Sequence, residues 1–119
     1  MQDHRKLEVY QAANELALQV YAVAAQLPLT ERFKLARQLR RAAVSVGSNI
    51  AEGCGRATNA DFARFLDDAL GSANELEFQL NLSVDAGLAL PAAGAEAVET
   101  ARRVQQMLTR LVIRVRRPR

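Results

Sequence analysis

Glu52, Glu75, Glu77 and Cys54 are the side chains whose types and spacing come closest to a reactive centre in this 119-residue sequence. Carboxylates on two helices of a bundle can hold a pair of metal ions. Such sites also take a Glu-x-x-His pair from each of two further helices. His4 is the only histidine, so a metal centre is not expected, and neither is a nucleophile paired with a histidine base. Cys54 would need neighbours that lower its thiol pKa, and Arg56 is the one cation close to it in sequence. The run Gly53-Cys54-Gly55-Arg56-Ala57-Thr58 has the glycines of a phosphate loop. A dinucleotide loop of that kind follows a strand and opens a helix. Here a helical apolar pattern precedes it, and the lysine of the other common phosphate loop is missing. The run reads as a helix-ending turn. The expectation is a protein without catalytic residues, metal or cofactor, and not an enzyme.

The stronger chemical signal is arginine. Arg102, Arg103, Arg110, Arg114, Arg116, Arg117 and Arg119 crowd the last part of the chain, and no acid follows Glu99. Guanidinium groups repeated along a helix can neutralise phosphates and bind RNA or DNA in a salt-dependent way. No aromatic side chain is interleaved with them, so base-specific reading is not implied. The bland alternative is a solvated basic face, or counter-charge for an acidic helix elsewhere. The charge is laid out in blocks that a net value of +3 conceals. Residues 30–56 are basic by four charges, 57–90 acidic by five, and 91–119 basic by five. Such blocks can neutralise one another within a bundle or present separate patches outside it. Fourteen of the sixteen basic residues are arginine, which suits bidentate pairing with carboxylate or phosphate.

The elements that position these residues follow from apolar periodicity. Val9, Ala13, Leu16, Val20, Val23 and Leu27 form one stripe, and Ala36, Leu39, Ala43, Val46 and Ile50 a second. Phe62, Leu66, Ala69, Ala73, Leu76 and Leu80 form a third, and Ala97, Ala101, Val104, Leu108, Leu111 and Val115 a fourth. Alternating steps of three and four residues keep one face of a helix toward a common axis. Pro28, the glycines near residue 55, and Gly87 with Pro91 separate the pieces. Thr30 is placed to cap the second helix, and Thr58-Asn59-Ala60-Asp61 fits a capping box for the third. The pattern predicts an all-α, up-down-up-down four-helix bundle as a single domain over 1–119, with helices at about 6–26, 31–52, 59–86 and 92–115. Phe65, Leu70, Phe78 and Leu82, with Met107, Val112 and Ile113, lie off the stripes of the last two helices. They make either a broad core or a surface buried by self-association.

Composition agrees. Half the residues are hydrophobic and only 5% aromatic, so the core must be built from Leu, Val and Ala. No run reaches the roughly 18–20 apolar residues of a membrane span, and the first residues lack a signal-peptide core. A single cysteine excludes an intrachain disulfide, which points to the reducing cytoplasm.

A turn centred on Arg56 would set Arg40 level with Glu75 and Arg37 level with Glu77, so salt bridges across the second and third helices are expected. Arg40 and Arg41 then belong to an ionic and small-residue seam with Ser48, Asn49, Glu52, Gly71, Ser72 and Glu75, rather than to a phosphate site. Ser48, Asn49 and Ser72 are expected to bond backbone or pack between helices.

Several of these segments resemble one family in order and spacing. They are Leu7-Glu8-Val9-Tyr10-Gln11-Ala12, Gln38-Leu39-Arg40-Arg41-Ala42-Ala43-Val44-Ser45, Ser48-Asn49-Ile50-Ala51-Glu52-Gly53, Phe62-x-x-Phe65-Leu66 and Gly71-Ser72-x-x-Glu75-Leu76-Glu77. Together they resemble the four-helix-bundle proteins encoded by intervening sequences in bacterial 23S ribosomal RNA genes. Where those proteins usually carry Ile-Pro, this chain has Val46-Gly47. That family is similar in fold to the accessory variability determinant of diversity-generating retroelements, a basic pentameric barrel that binds nucleic acid and a reverse transcriptase. The resemblance implies a ring-like homo-oligomer, with a homopentamer the preferred assembly, and no shared catalytic residues. The functional expectation is a non-enzymatic homo-oligomeric scaffold with basic surface for RNA or DNA. The alternative is a structural or protein-partner adaptor with no nucleic-acid role.

Overall fold

The computed structural model describes residues 3–4 and 7–118. Four α-helices account for most of them: α1 (Glu8–Ala25), α2 (Leu35–Cys54), α3 (Asn59–Asp85) and α4 (Pro91–Arg116). Each helix packs on its neighbours in sequence, and α1 and α4 close the ring of contacts. The result is an elongated bundle of 50 × 21 × 20 Å. All the stripe residues are buried except Val115, which is half-buried. Leu16, Leu39, Ile50, Leu66, Leu76, Leu80 and Leu108 are among the largest fully enclosed side chains. Burying each contributes about 1.5–3 kcal/mol. Ala13, Ala43, Ala69, Ala73 and Ala101, also enclosed, fill the axis between them with minimal bulk.

The helix ends show which local signals operate. Thr58 caps α3, its Oγ1 accepting from the Asp61 amide at 3.1 Å. Only half of the expected box forms, because the Asp61 carboxylate turns to Arg64 at 3.7 Å. Pro91 occupies the first turn of α4, where its missing N–H costs nothing. The end of α3 is a Schellman turn: Gly87 at φ +74° lets its own amide reach Val84 O and the Leu88 amide reach Ser83 O, both at 2.9 Å. Thr30 does not cap α2. Residues Leu29–Glu31 form a separate 3₁₀ turn that holds Thr30 away from the cap position. Consequently α2 begins at Leu35, behind Lys34, with no side-chain cap.

The glycine run after α2 is also shorter than its sequence suggests. Gly53 and Cys54 complete the last turn of α2. Gly53 leaves room for α3, since a Cβ there would lie 3.0 Å from both Phe62 Cδ1 and Phe65 Cβ. The helix continues through Gly47 without interruption.

Of the off-stripe residues, Phe65 and Val112 join the buried set, and Leu70 and Met107 pack partly against it. Phe78, Leu82 and Ile113 remain outside, at 66%, 44% and 58% exposure. Phe65 and Val112 therefore belong to a broad core, while Phe78, Leu82 and Ile113 are open to solvent in the single chain.

Candidate nucleic-acid interface

The five arginines of α4, with Arg117 just past its end, divide into two groups. Arg102 Nε donates to Glu77 Oε2 of α3 at 3.1 Å, Arg103 Nη2 to Glu15 Oε2 of α1 at 2.6 Å, and Arg116 Nη2 to Asp67 Oδ2 of α3 at 2.5 Å. These three fasten α4 to its neighbours, and they take up Asp67 and Glu77 of the six acids on α3. Glu77 also accepts from Gln105 at 2.8 Å. The Gln105 bond, and after it Arg102, holds the Glu77 carboxyl below its ordinary pKa against the opposing effect of burial. Arg110, Arg114 and Arg117 are exposed and have no ion pair among the described residues. Arg110 and Arg114 border a groove of about 420 Å³ near the start of α1, which Glu8 also lines. Arg119 lies outside the described residues.

The expected ionic seam between α2 and α3 is absent. Among the described residues Arg37, Arg40 and Arg41 make no ion pair, while Glu75 accepts from Gln79 within its own helix at 2.9 Å and Glu77 turns to α4. Helix rotation explains this: Arg37, Arg40 and Arg41 lie on the side of α2 beside Tyr21 of α1, and Glu77 on the side of α3 beside α4. Ser72 meets Ser45, Oγ to Oγ at 2.8 Å, whereas the level that pairs Arg37 with Glu77 would put it opposite Ala42. The seam is instead made of small polar groups. Asn49 Nδ2 donates to the Ser45 carbonyl at 2.8 Å and to Ser45 Oγ at 3.1 Å, which completes a Ser-Ser-Asn cluster between the helices. Ser48 is exposed on the other side of α2, Gly71 is exposed on α3, and Glu52 pairs with Arg56 one turn away at 3.7 Å.

Released from α3, the α2 arginines face α1. Arg37, Arg40, Arg41 and Val44 are spaced i, i+3, i+4, i+7 and so share one side of the helix. With Tyr21 of α1 and Ser45 they line a groove of about 480 Å³. That spacing was readable in the sequence; the partner Tyr21 was not, since it depends on how α1 packs. Tyr21 and Val44 are 46% and 49% exposed.

The other chemical candidates separate in space. Glu52, Glu75 and Glu77 have different partners and do not converge, and no cluster of three His, Cys, Asp or Glu side chains forms among the described residues. His4 stacks edge-on against Tyr10, with ring centroids 4.8 Å apart. Cys54 is a buried free thiol. Burial first, and then the Asp3 carboxylate, pushes its pKa up, the opposite of activation. The amides of Gly55 and Arg56 are taken by Glu52 O and Gly53 O at 3.1 Å, so they are not presented as a phosphate cradle. Arg56 instead lies over the Phe65 ring at 4.6 Å, as does Arg64. Among the described residues no helix is long and apolar enough to cross a membrane.

A family model described as 23S rRNA-intervening sequence protein matches residues 5–110. No curated protein matches the chain. Among solved structures, the chain is similar to a Bacteroides thetaiotaomicron protein of unknown function from the S23 ribosomal protein family. The TM-score is 0.80 at 24% identity, covering 87% of this chain and 94% of that one. That likeness is one of fold. The family match takes in Arg37, Arg40, Arg41, Arg102, Arg103 and Arg110 and stops short of Arg114, Arg116 and Arg117.

Proposed function

The chain belongs to the 23S rRNA-intervening sequence protein family, and from that premise we propose that it is a non-enzymatic homo-oligomeric scaffold that engages RNA or DNA phosphates through basic surface. The observation that carries the reading is the division of the arginines. Three on α4 are spent within the bundle, whereas Arg37, Arg40 and Arg41 on α2, Arg110 and Arg114 on α4 and Arg117 just past its end face solvent or a groove with no ion pair among the described residues. Uncompensated guanidiniums on a stable bundle are the electrostatic footprint of phosphate binding. A buried free thiol supports a cytoplasmic setting, where thiols stay reduced.

Self-association is supported by α3. Gly71, Asn74, Phe78 and Leu82 are all exposed and follow one another at helical spacing. Nothing lies within 4 Å of where a Gly71 Cβ would stand, so the isolated chain gives no reason for a glycine that costs a mid-helix site about 1 kcal/mol relative to alanine. A second copy packed against this face would account for both the glycine and the exposed phenylalanine. The resemblance to pentameric bundles makes a ring of five the preferred assembly.

A second reading, a protein-partner adaptor, draws on the same exposed face and on the ion pairs that consume Arg102, Arg103 and Arg116. Two measurements separate the readings. Light scattering behind size exclusion is expected to give a pentamer, and a monomer at micromolar concentration would contradict the assembly. Filter binding at low salt is expected to retain RNA or DNA. No retention by the assembled protein would leave the adaptor.

A further inference from the structure

We propose that the groove between Tyr21 of α1 and the Arg37, Arg40 and Arg41 face of α2 is a binding site for the backbone of an unpaired RNA or DNA strand, with the Tyr21 ring as a stacking surface for one base. This inference rests on the nucleic-acid reading above and assigns that reading a place and a strand type.

The groove differs from the others in sign. A groove of about 780 Å³ between α1, α3 and α4 holds Glu15, Glu96 and Glu99 beside Arg102 and Arg103, and both arginines are already paired. The groove beside Arg110 and Arg114 includes Glu8. The α1–α2 groove contains three guanidiniums and no acid. Arg37 and Arg41 are i, i+4 neighbours with like charge, an arrangement that disfavours the helix unless an anion relieves it. Three arginines within little more than one turn can each donate in a planar fork to phosphate oxygens.

The apolar members decide between strand types. A duplex is read by an element that protrudes into its major groove, whereas this surface is shallow and open, with an aromatic ring at its edge. An unpaired strand can lay phosphates on the arginines and turn bases toward an aromatic face. Tyr21 supplies that face, and Val44, half exposed beside it, supplies apolar floor. The C-terminal arginines lack an aromatic neighbour in sequence, so the platform missing there is present here.

The test uses the full chain and fluorescence anisotropy at low salt, with labelled oligouridylate, oligothymidylate and a duplex of equal length. Variants are the triple Arg37→Gln/Arg40→Gln/Arg41→Gln, Tyr21→Ala, Tyr21→Phe, and the triple Arg110→Gln/Arg114→Gln/Arg117→Gln, each checked for helix content and melting. The α2 triple variant is expected to weaken single-strand binding at least tenfold and to flatten the log-affinity against log-salt slope by about 2, from roughly 0.7 per phosphate contact. Tyr21→Ala is expected to weaken it about fivefold or more while Tyr21→Phe retains it, and duplex binding should change little with Tyr21. Unchanged single-strand binding by the α2 triple variant, with loss in the α4 triple variant, would overturn the groove assignment and leave the general reading standing. Equal losses for strand and duplex with a silent Tyr21→Ala would overturn the unpaired-strand assignment. No binding of any probe by the unmodified protein would overturn the nucleic-acid reading itself, and this inference with it.

Discussion

Cys54 and Glu77 show how placement, rather than residue type, decides chemistry here. Cys54 is buried, with its pKa raised by burial and by Asp3. A thiol so placed is expected to react with a disulfide reagent only on unfolding, and rapid stoichiometric labelling of the folded protein would show that its surroundings are open. Glu77 is held below its ordinary pKa chiefly by Gln105. Because the folded value is lowered, its contribution to stability is present above the ordinary carboxylate range and is lost as pH falls through the lowered value. Glu77→Gln is therefore expected to melt earlier than the parent at neutral pH, with the gap closing in acid. Arg102 is largely exposed, so the gap should stay within about 1 kcal/mol. A gap that persists unchanged at low pH would assign the effect to packing. The sequence offered both residues as candidates; it could not say that one is enclosed and the other turned toward α4, because those facts depend on helix rotation.

At the scale of the helices, the stripes were legible because burial in a bundle repeats with the helix period. Every stripe residue from Val9 to Leu111 is buried. Register was less legible. The Ser45–Ser72 contact sits about three residues from the expected level, and the predicted salt bridges of Arg37 and Arg40 fail because these arginines lie beside α1 while Glu77 turns to α4. A turn's length in sequence does not fix how far the helix before it continues, and α2 runs to Cys54. Two glycines offer a direct contrast. Gly53→Ala puts a methyl against Phe62 and Phe65, within 3.3 Å of the Phe62 carbonyl, and is expected to cost about 1–3 kcal/mol by overpacking. Gly71→Ala meets nothing in its own chain and is expected to strengthen the isolated helix by about 0.5–1 kcal/mol. It should nonetheless weaken self-association if α3 is the contact face. Chemical denaturation and light scattering on both variants check these outcomes. An unaltered oligomer in Gly71→Ala would move the interface elsewhere.

Across the whole molecule, charge is sorted rather than balanced. The acids of α3 and α1 absorb Arg102, Arg103 and Arg116, which leaves two basic regions, one on α2 and one at the end of α4. Counting charge along the sequence located both blocks. It could not tell which arginines were spent on the bundle, and it gave the α4 block a weight that the α2 groove now shares. The central claim is that these uncompensated arginines bind nucleic-acid phosphates. Its most direct test is an anisotropy titration of the assembled protein with a labelled single-stranded RNA over a series of salt concentrations. Phosphate binding by these arginines gives measurable affinity at low salt that falls linearly on a double-logarithmic plot, with a slope set by the number of phosphates contacted. Absence of binding at the lowest salt, or an affinity indifferent to salt, would contradict it.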